Sequence, residues 1–248
     1  MIVHVYSVMR NERILLPYYF RHYDQIASQY FIWDDNSDDG SREMLEARAD
    51  VKIMPLEKHG INDPYWVQEL WPQYVTLSRG IADWVIVVDV DEFVYIPDLK
   101  WELASWKKAS AGVLFCQGYS MVADTLPTTK GQIYDEFQRG LPDKWSNKWV
   151  VFNPDIDIRY QPGRHYTPHC GKDTAMIRDS GLKLLHYRYL GAEFFEERDR
   201  RNVESYNISE GQGLVYDPNR RRNLADGSRG VPLQWFASHK AQTVKVVE

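Results

Sequence analysis

The chain has 248 residues, of which 44% are hydrophobic, 26% are charged and 14% are aromatic. That much apolar sequence is enough for a sizeable core and excludes disorder over most of the length. The net charge of −5 argues against general nucleic-acid binding, because proteins of that class carry an excess of basic residues that neutralise phosphates.

Strand and helix patterns alternate through the first hundred residues. The predicted elements are, in chain order, a strand at 2–8, a helix at 13–28, a strand at 29–33, a helix at 42–49 capped by Ser41, a strand at 51–56, a helix within 62–82 and a strand at 84–90. This alternation predicts an α/β fold with a Rossmann-like, mostly parallel central sheet and helices on both faces.

The second half of the sequence is less regular. Strand-like apolar runs occur at 112–119, 148–155 and 182–191. A charged helix is predicted at 192–206, and residues 120–147 are predicted to be rich in loops. No internal repeat and no linker-like composition interrupts the chain, so we expect a single domain.

Polar segments follow three of the predicted strands, at 9–13, 34–41 and 89–92. The last of them contains three carboxylates within four residues. In open α/β sheets, ligands bind at the carboxyl ends of the strands. We therefore expect the three polar segments to meet at one site.

The carboxylates after the fourth strand raise a problem of charge. Side chains alternate along a strand with period two, so Asp89 and Asp91 are predicted to point the same way, with Val90 facing away. Two carboxylates aimed at one point suit a hard divalent cation such as Mg²⁺ or Mn²⁺. The alternative is a strand end whose acids are merely solvated. No basic residue lies nearer in the sequence than Arg79 and Lys100, so the source of the compensating positive charge stays open.

Three segments resemble those of a known enzyme class. The run WVIVVDVDEFVYI at 84–96 resembles the Asp-x-Asp segment of nucleotide-sugar-dependent glycosyltransferases with the GT-A fold. VMRNER at 8–13 and LLPYYFRHY at 15–23 resemble their opening strand and helix, and FIWDDNSDDGS at 31–41 resembles the turn after strand two of family 2 enzymes. The pattern is similar to a family-2-like subgroup with a D-x-D-E-F motif, related to family 92. The resemblance covers residues 1–100 and is loose afterwards.

The resemblance implies a set of site residues. The implied nucleotide-binding residues are Val8, Arg10, Asn11, Glu12, Asp34, Asp35 and Asp89. The implied metal ligands, for Mn²⁺ or Mg²⁺, are Asp89, Asp91 and His186. Asp35 would accept a ring N–H of the base, a contact suited to uracil, and Glu92 would support the metal ligands from behind. His186 could equally be a buried histidine bonded to a backbone carbonyl.

By the same resemblance, we expect a metal-dependent glycosyltransferase with a GT-A-type fold. Its donor would be a UDP-sugar, with a GDP-sugar next, and the transfer would invert the anomeric carbon. The acceptor would be a glycan, a lipid-linked molecule or a small molecule, as in polysaccharide biosynthesis. Residues 1–248 would form a single GT-A-like domain, with a nucleotide-sugar-binding half at 1–100 and an acceptor-binding half and tail at 101–248.

An inverting transfer needs a general base near the acceptor hydroxyl. Family 2 enzymes usually take an aspartate from a Glu-Asp pair that opens a late helix, and this chain has no such pair there. Glu193 occupies the corresponding place, so Glu193 and Asp91 are the predicted catalytic residues. Asp143 and Asp173 are alternatives for the base. Glu193 could equally be an acidic residue that complements a helix N-terminus.

Two other functions are compatible with the same motifs. A Mg-dependent nucleotidyltransferase also uses Asp-x-Asp, although it would usually carry a glycine-rich loop after strand one, and SVMRNER at 7–13 has no glycine. A non-catalytic nucleotide- or sugar-binding module would keep the binding motifs and lack the base.

Several polar residues outside these motifs have two interpretations. Lys148 and the basic run at 219–223 could be solvated or could pair with a diphosphate. His165, His169 and Cys170 lack a fourth ligand, so a structural zinc site is not expected.

The cellular location is predicted from what the sequence lacks. Two cysteines are too few for a disulfide framework, so we expect a reducing, cytoplasmic compartment. There is no run of about eighteen apolar residues, which predicts no membrane span and leaves peripheral membrane contact open.

Overall fold

The structure is a computed structural model that describes residues 1–57, 69–161, 164–191, 193–195, 197–198, 200–201 and 240–247. The strands are β1 (Val3–Met9), β2 (Gln29–Asp34), β3 (Val51–Met54), β4 (Trp84–Val87), β5 (Glu92–Tyr95), β6 (Val113–Ala123), β7 (Arg139–Pro142), β8 (Lys148–Phe152), β9 (Ile158–Arg159), β10 (His169–Cys170), β11 (Met176–Ile177), β12 (Lys183–Leu190) and β13 (Val244–Lys245). The helices are α1 (Leu16–Tyr23), α2 (Ser41–Glu46), α3 (Trp71–Thr76), α4 (Leu99–Lys108) and α5 (Ile133–Glu136), with a 3₁₀ turn at Lys144–Ser146. Helical residues at 193–195, 197–198 and 200–201 are called the late helical segment below.

Eleven of the described strands form one large sheet, whose main path has the order β13-β7-β6-β8-β4-β1-β2-β3. Strands β9 and β10 form a separate two-stranded sheet. The four strands β3, β2, β1 and β4 pair in parallel, as the βα alternation predicts. Strand β8 then joins β4 to β6 by antiparallel pairing, and β12 pairs with β6 in parallel and with β5 in the antiparallel sense. The α/β expectation is confirmed.

Helices cover both faces of the parallel strands. Val3 and Val5 of β1 lie in one buried cluster with Tyr19 of α1. Tyr6 faces the opposite way and lies in a second cluster with Tyr74 of α3. Because successive side chains of a strand alternate between faces, β1 is buried on both sides, as expected for a parallel strand between two helical layers.

Strand β4 is shorter than the sequence pattern predicts. It ends at Val87, and a turn follows in which Glu92 N–H donates to Asp89 O at 3.0 Å. The period-two argument for Asp89 and Asp91 is therefore wrong, because the chain leaves the strand before it reaches them. Val90 is buried in the core, so it does face away from the carboxylates.

Two further expectations are corrected. Residues 120–147 are not mainly loop, because β6 continues to Ala123, and β7, α5 and the 3₁₀ turn follow within the stretch. The long β6 is stabilised by pairing with β12, a contact distant in sequence that local periodicity cannot show. Ser41 does not cap α2: Gly40 precedes the helix in the left-handed region (φ 95°), and Ser41 is the first helical residue.

Parts of three predictions lie outside the described residues. They are 62–68 of the predicted helix at 62–82; 192, 196, 199 and 202–206 of the helix at 192–206; and the whole basic run at 219–223. Within the described part of the chain, no helix has the length and hydropathy needed to cross a membrane. The assignment of residues 1–248 to one domain stays a prediction.

Candidate functional site

The carboxyl ends of β1, β2 and β4 lie side by side and are called the carboxyl edge below. Met9 at the end of β1 pairs with Asp34 at the end of β2, and Tyr6 pairs with Val87 at the end of β4. Asp35 N–H donates to Met9 O at 2.8 Å, which ties the second strand end to the first. The three polar segments of the sequence are therefore brought to one edge of the sheet, as predicted.

Glu92 and Lys148 form a buried ion pair at this edge. Glu92 opens β5 and its side chain is 0% exposed, while Lys148 opens β8 and is 7% exposed. Lys148 Nζ lies 2.5 Å from Glu92 Oε1 and 3.6 Å from Asp89 Oδ2. From the sequence, Lys148 could be solvated or could pair with a diphosphate. The structure places it in the site, beside Glu92 and Asp89.

Asp89 is the most accessible carboxylate of the group, with half of its side chain exposed. Arg164 Nη2 lies 3.3 Å from Asp89 Oδ1. Burial alone would raise the pKa of Asp89, but Lys148 and Arg164 outweigh it and lower the pKa. Asp89 is thus held as a carboxylate by two cations from the second half of the chain.

Asp91 lies deeper and is also paired with two basic side chains. Arg198 Nη2, from the late helical segment, lies 2.8 Å from Asp91 Oδ2. His186 Nε2, from β12, lies 3.2 Å from the same oxygen. Burial would raise the pKa of Asp91, but Arg198 and then His186 hold it far below its usual range.

The hydrogen bonds of His186 define its charge. Ser146 Oγ donates its one proton to Asp143 Oδ2 at 2.9 Å, so at 3.4 Å it accepts from His186 Nδ1–H. The other ring nitrogen faces the Asp91 carboxylate and must also donate. Burial would lower the pKa of His186, but Asp91 raises it. This arrangement favours the protonated imidazole, in which neither ring nitrogen has a lone pair for a metal ion.

Glu12, just after β1, joins the first polar segment to this cluster. Arg198 Nη2 lies 3.1 Å from Glu12 Oε1, so one guanidinium nitrogen bridges Glu12 and Asp91. Burial raises the pKa of Glu12 to about 7, against the opposing effect of Arg198. Ser41 Oγ accepts the Glu12 backbone N–H at 2.9 Å, which fixes the loop after β1 to the start of α2.

The other predicted nucleotide-binding residues are held by the loops themselves. Asn11 and Asp38 exchange two hydrogen bonds, of 2.7 and 2.9 Å. Asp34 accepts from Ser37 Oγ at 2.5 Å and from Arg42 Nη1 at 3.3 Å. These bonds occupy both oxygens of Asp34.

Three more of the predicted nucleotide-binding residues differ in exposure. Asp35 is fully buried, so a base could reach it only after neighbouring side chains move. Val8 and Arg10 are half-buried. The base contacts of these residues stay predictions.

The three candidates for the general base lie in different places. Glu193 is exposed and lies five residues before Arg198, about 140° around a helix axis from it. Asp143 is joined to His186 through Ser146. Asp173 lies near Gly112, before the start of β6 and roughly 25 Å of extended strand from the residue that pairs with His186.

The donor chemistry of the edge suits a hard divalent ion, but its arrangement does not. Asp89 and Asp91 offer carboxylate oxygens, yet Asp91 Oδ2 already binds Arg198 and His186. Among the described residues, no three His, Cys, Asp or Glu side chains are placed to hold a metal ion. His165, His169 and Cys170 are among the side chains that form no such group. A metal ion could bind Asp91 through this oxygen only if Arg198 moved away.

Sequence reasoning missed two residues of this site, Arg164 and Arg198. Arg164 lies in a loop, where its φ is positive (60°), and no sequence motif marks it. Arg198 belongs to the charged run EERDRR, and such a run is equally consistent with a solvated helix face and with a site residue. Neither could be assigned without the contact to a specific carboxylate.

Known proteins similar to this chain include two curated plant relatives. A glycosyltransferase family 92 protein of Ricinus communis is 32% identical over 95 residues, which are 37% of this chain and 16% of that protein. One of Oryza sativa subsp. japonica is 28% identical over 104 residues, which are 38% of this chain and 16% of that protein. This chain therefore spans about a sixth of the length of these relatives. The resemblance to family 92 is confirmed as a partial similarity.

No family model matches the chain. Among solved structures, S. aureus TarS is similar over 91% of this chain and 42% of its own, with 15% sequence identity and a TM-score of 0.47.

Proposed function

We propose that this chain is a nucleotide-sugar-dependent glycosyltransferase related to family 92, with UDP-sugars favoured over GDP-sugars as donors. The observation that carries the proposal is the mixed-charge cluster at the carboxyl edge. Its carboxylates follow the strand ends that resemble those of family 2 enzymes, and its basic side chains come from the second half of the chain. Similarity to family 92 over more than a third of the chain supports the same assignment.

The cluster suits the departure of a nucleoside diphosphate. Negative charge grows on the diphosphate as its bond to the sugar breaks, and preorganised cations lower the energy of that state. Lys148, Arg164, His186 and Arg198 supply four basic groups at this edge. Mn²⁺ or Mg²⁺, which we propose as the cofactor, would offset the same charge when bound.

We assign the general base to Glu193 and propose that the transfer inverts the anomeric carbon. Glu193 is exposed, so an acceptor hydroxyl can reach it, and it shares the late helical segment with Arg198. Asp143 is the alternative base, because it is bonded through Ser146 to the edge of the cluster. The acceptor is a glycan, a lipid-linked molecule or a small molecule.

A non-catalytic nucleotide-sugar-binding module is the second candidate. It is favoured by one observation, which is that no described contact joins Glu193 to the carboxylate cluster. Such a module would bind the donor and release no diphosphate.

The deciding experiment is to incubate the purified chain with a panel of UDP- and GDP-sugars and Mn²⁺ and to measure release of the nucleoside diphosphate. We expect release from a UDP-sugar, reduced at least about 10²-fold in Asp91→Asn. Asp157→Asn is the matched control, since its side chain is 91% exposed and pairs only with Arg79 among the described residues. Donor binding without release, in the presence of candidate acceptors, would identify the binding module instead.

A further inference from the structure

Arg164 and Arg198 each pair with carboxylates at the carboxyl edge through one nitrogen, Nη2. Arg198 Nη2 lies 2.8 Å from Asp91 Oδ2 and 3.1 Å from Glu12 Oε1. Arg164 Nη2 lies 3.3 Å from Asp89 Oδ1. Because hydrogen bonds between charged groups are strong, the carboxylates fix the orientation of both guanidinium groups.

Other donors of these arginines lack acceptors. Arg198 Nη1 and Arg164 Nε are buried and have no hydrogen-bond partner within the described part of the chain. Arg201, three residues after Arg198, donates to Asn11 O beside Glu12, and its Nε likewise has no partner among the described residues. A buried donor without an acceptor carries a free-energy penalty, which an oxyanion at this cluster would remove.

The lining of the edge fits an anion better than a divalent cation. Asp91 Oδ2 already pairs with Arg198 and faces His186 Nε2 at 3.2 Å. No three His, Cys, Asp or Glu side chains of the described residues are placed to hold a metal ion. By contrast, a guanidinium presents its N–H groups in a fork that matches the geometry of a phosphate group.

Building on the proposed function, we propose that the N–H forks of Arg164 and Arg198 bind the diphosphate of the sugar donor directly, without a bridging metal ion. Arg164 lies in the loop between β9 and β10, and Arg198 lies in the late helical segment. Their carboxylate partners, Asp89 and Asp91, are two residues apart along the chain, so the two guanidinium groups can bind adjacent phosphates of one diphosphate.

The two arginines border the solvent and are preorganised. Their side chains are 12% and 17% exposed, and that of Asp89 is half exposed. A phosphate that enters beside Asp89 can therefore reach the unpaired N–H groups once neighbouring side chains shift. Because Asp89 and Asp91 already hold the arginine side chains in place, less conformational entropy is lost on binding.

The test is calorimetric titration of UDP and of UMP in buffer that contains EDTA, on wild type, Arg164→Gln and Arg198→Gln. Glutamine keeps hydrogen bonding and removes the charge and the fork. We expect wild type to bind UDP at least about 10-fold more tightly than UMP, because UMP lacks the second phosphate. Each variant should bind UDP at least about 10-fold more weakly than wild type and lose most of the preference for UDP over UMP.

Two results would overturn the proposal. One is a UDP affinity in either variant equal to that of wild type. The other is a wild-type chain that releases diphosphate in the assay described for the proposed function but does not bind UDP in the presence of EDTA. That second result would leave the proposed function standing, so the two failures are distinguishable.

Arg79→Gln is the matched control, since it removes the same charge at the opposite edge of the sheet. Arg79 precedes the first residue of β4, its side chain is 45% exposed, and it pairs with Asp157. The UDP affinity should stay at the wild-type value in this variant. Equal losses in Arg79→Gln and Arg198→Gln would show a general effect of net charge and would also overturn the proposal.

A lysine variant covers the case in which Arg198→Gln does not fold, as judged by near-ultraviolet circular dichroism. Arg198→Lys keeps the charge and loses the fork, so UDP should bind at least about 5-fold more weakly in EDTA than to wild type. An unchanged UDP affinity in Arg198→Lys would contradict a contact made through the fork.

Discussion

At the scale of single residues, the acidic segment is explained by partners distant in sequence. Glu92 is paired with Lys148, and Asp91 with His186 and Arg198. Each basic partner lies more than fifty residues away along the chain. In a buried ion pair each charge offsets the cost of burying the other. Removing one partner should therefore lower the free energy of unfolding strongly.

Lys148→Met tests this dependence. It leaves the fully buried Glu92 without its cation, and we expect the free energy of unfolding to fall by about 3–5 kcal/mol. The double variant Lys148→Met/Glu92→Gln should recover much of that loss, because no unpaired charge then remains. Urea unfolding measures both changes.

Lys144→Met is the control for this pair, since Lys144 is exposed and packs against Trp145. Its unfolding free energy should change by less than about 0.5 kcal/mol. A Lys148→Met variant as stable as Lys144→Met would mean that the Lys148–Glu92 ion pair does not stabilise the fold.

The general base is also a question at the scale of residues. Glu193→Gln keeps the shape of the side chain and removes its proton acceptor, so we expect UDP binding to survive while transfer falls by roughly 10²–10⁴-fold. Asp143→Asn is the matched variant, because Asp143 is the other candidate that the structure keeps near the cluster. Steady-state transfer rates of both decide the assignment, and a normal rate for Glu193→Gln beside a low rate for Asp143→Asn would move the role to Asp143.

At the scale of elements, α1 fixes the position of β5 through one buried histidine. His22 Nε2–H donates to Val94 O at 2.9 Å, and Nδ1 accepts from Tyr134 OH at 3.2 Å. The ring also packs against Phe93 of β5 with centroids 5.3 Å apart. Both nitrogens are satisfied when the imidazole is neutral, and burial disfavours its charged form.

This packing predicts a pH dependence of stability. Burial lowers the pKa of His22 from 6.5 to about 4, against the hydrogen bond to Val94. Below pH 6.5, His22 of the unfolded chain is protonated, whereas His22 of the folded chain stays neutral down to about pH 4. The free energy of unfolding therefore falls as the pH falls from 6.5 to 4. We expect a loss of about 3 kcal/mol from this residue between pH 7 and pH 4.

Urea unfolding at pH 7 and pH 4 checks that loss. The same pair of measurements on His22→Gln, which cannot titrate in this range, subtracts the contribution of all other groups. An equal loss in wild type and His22→Gln would show that His22 does not carry the effect.

At the scale of the whole molecule, the candidate site gathers residues that are far apart along the chain. Glu12 follows the first strand of the sheet, whereas Arg198 lies 186 residues later in the late helical segment, and one ion pair joins them. Arg201 of the same segment donates to the backbone oxygens of Arg10 and Asn11. Binding at this edge should therefore stabilise the fold globally.

Nucleotide choice is the prediction that belongs to this scale. Once neighbouring side chains move to admit a base, the buried Asp35 can accept a ring N–H, which uracil and guanine offer and neutral cytosine lacks. We expect UDP with Mn²⁺ to raise the thermal midpoint more than CDP or ADP, with GDP the close competitor. At a concentration of 100 times its dissociation constant, a ligand stabilises the folded state by about 2.7 kcal/mol, which is easily resolved. The largest shift with CDP, together with no shift with UDP, would contradict the role given to Asp35.

The sequence by itself determined the α/β class, the parallel strands β1, β2 and β4, and the meeting of three polar segments at one edge. These follow from local periodicity and from the geometry of parallel strands, which depend on neighbouring residues. Only the tertiary structure decided where β4 ends, how far β6 extends, and which basic residue faces which carboxylate. Strand pairing and ion pairing join residues such as Ser120 with His186 and Glu12 with Arg198, and periodicity along the chain carries no information about contacts at that separation.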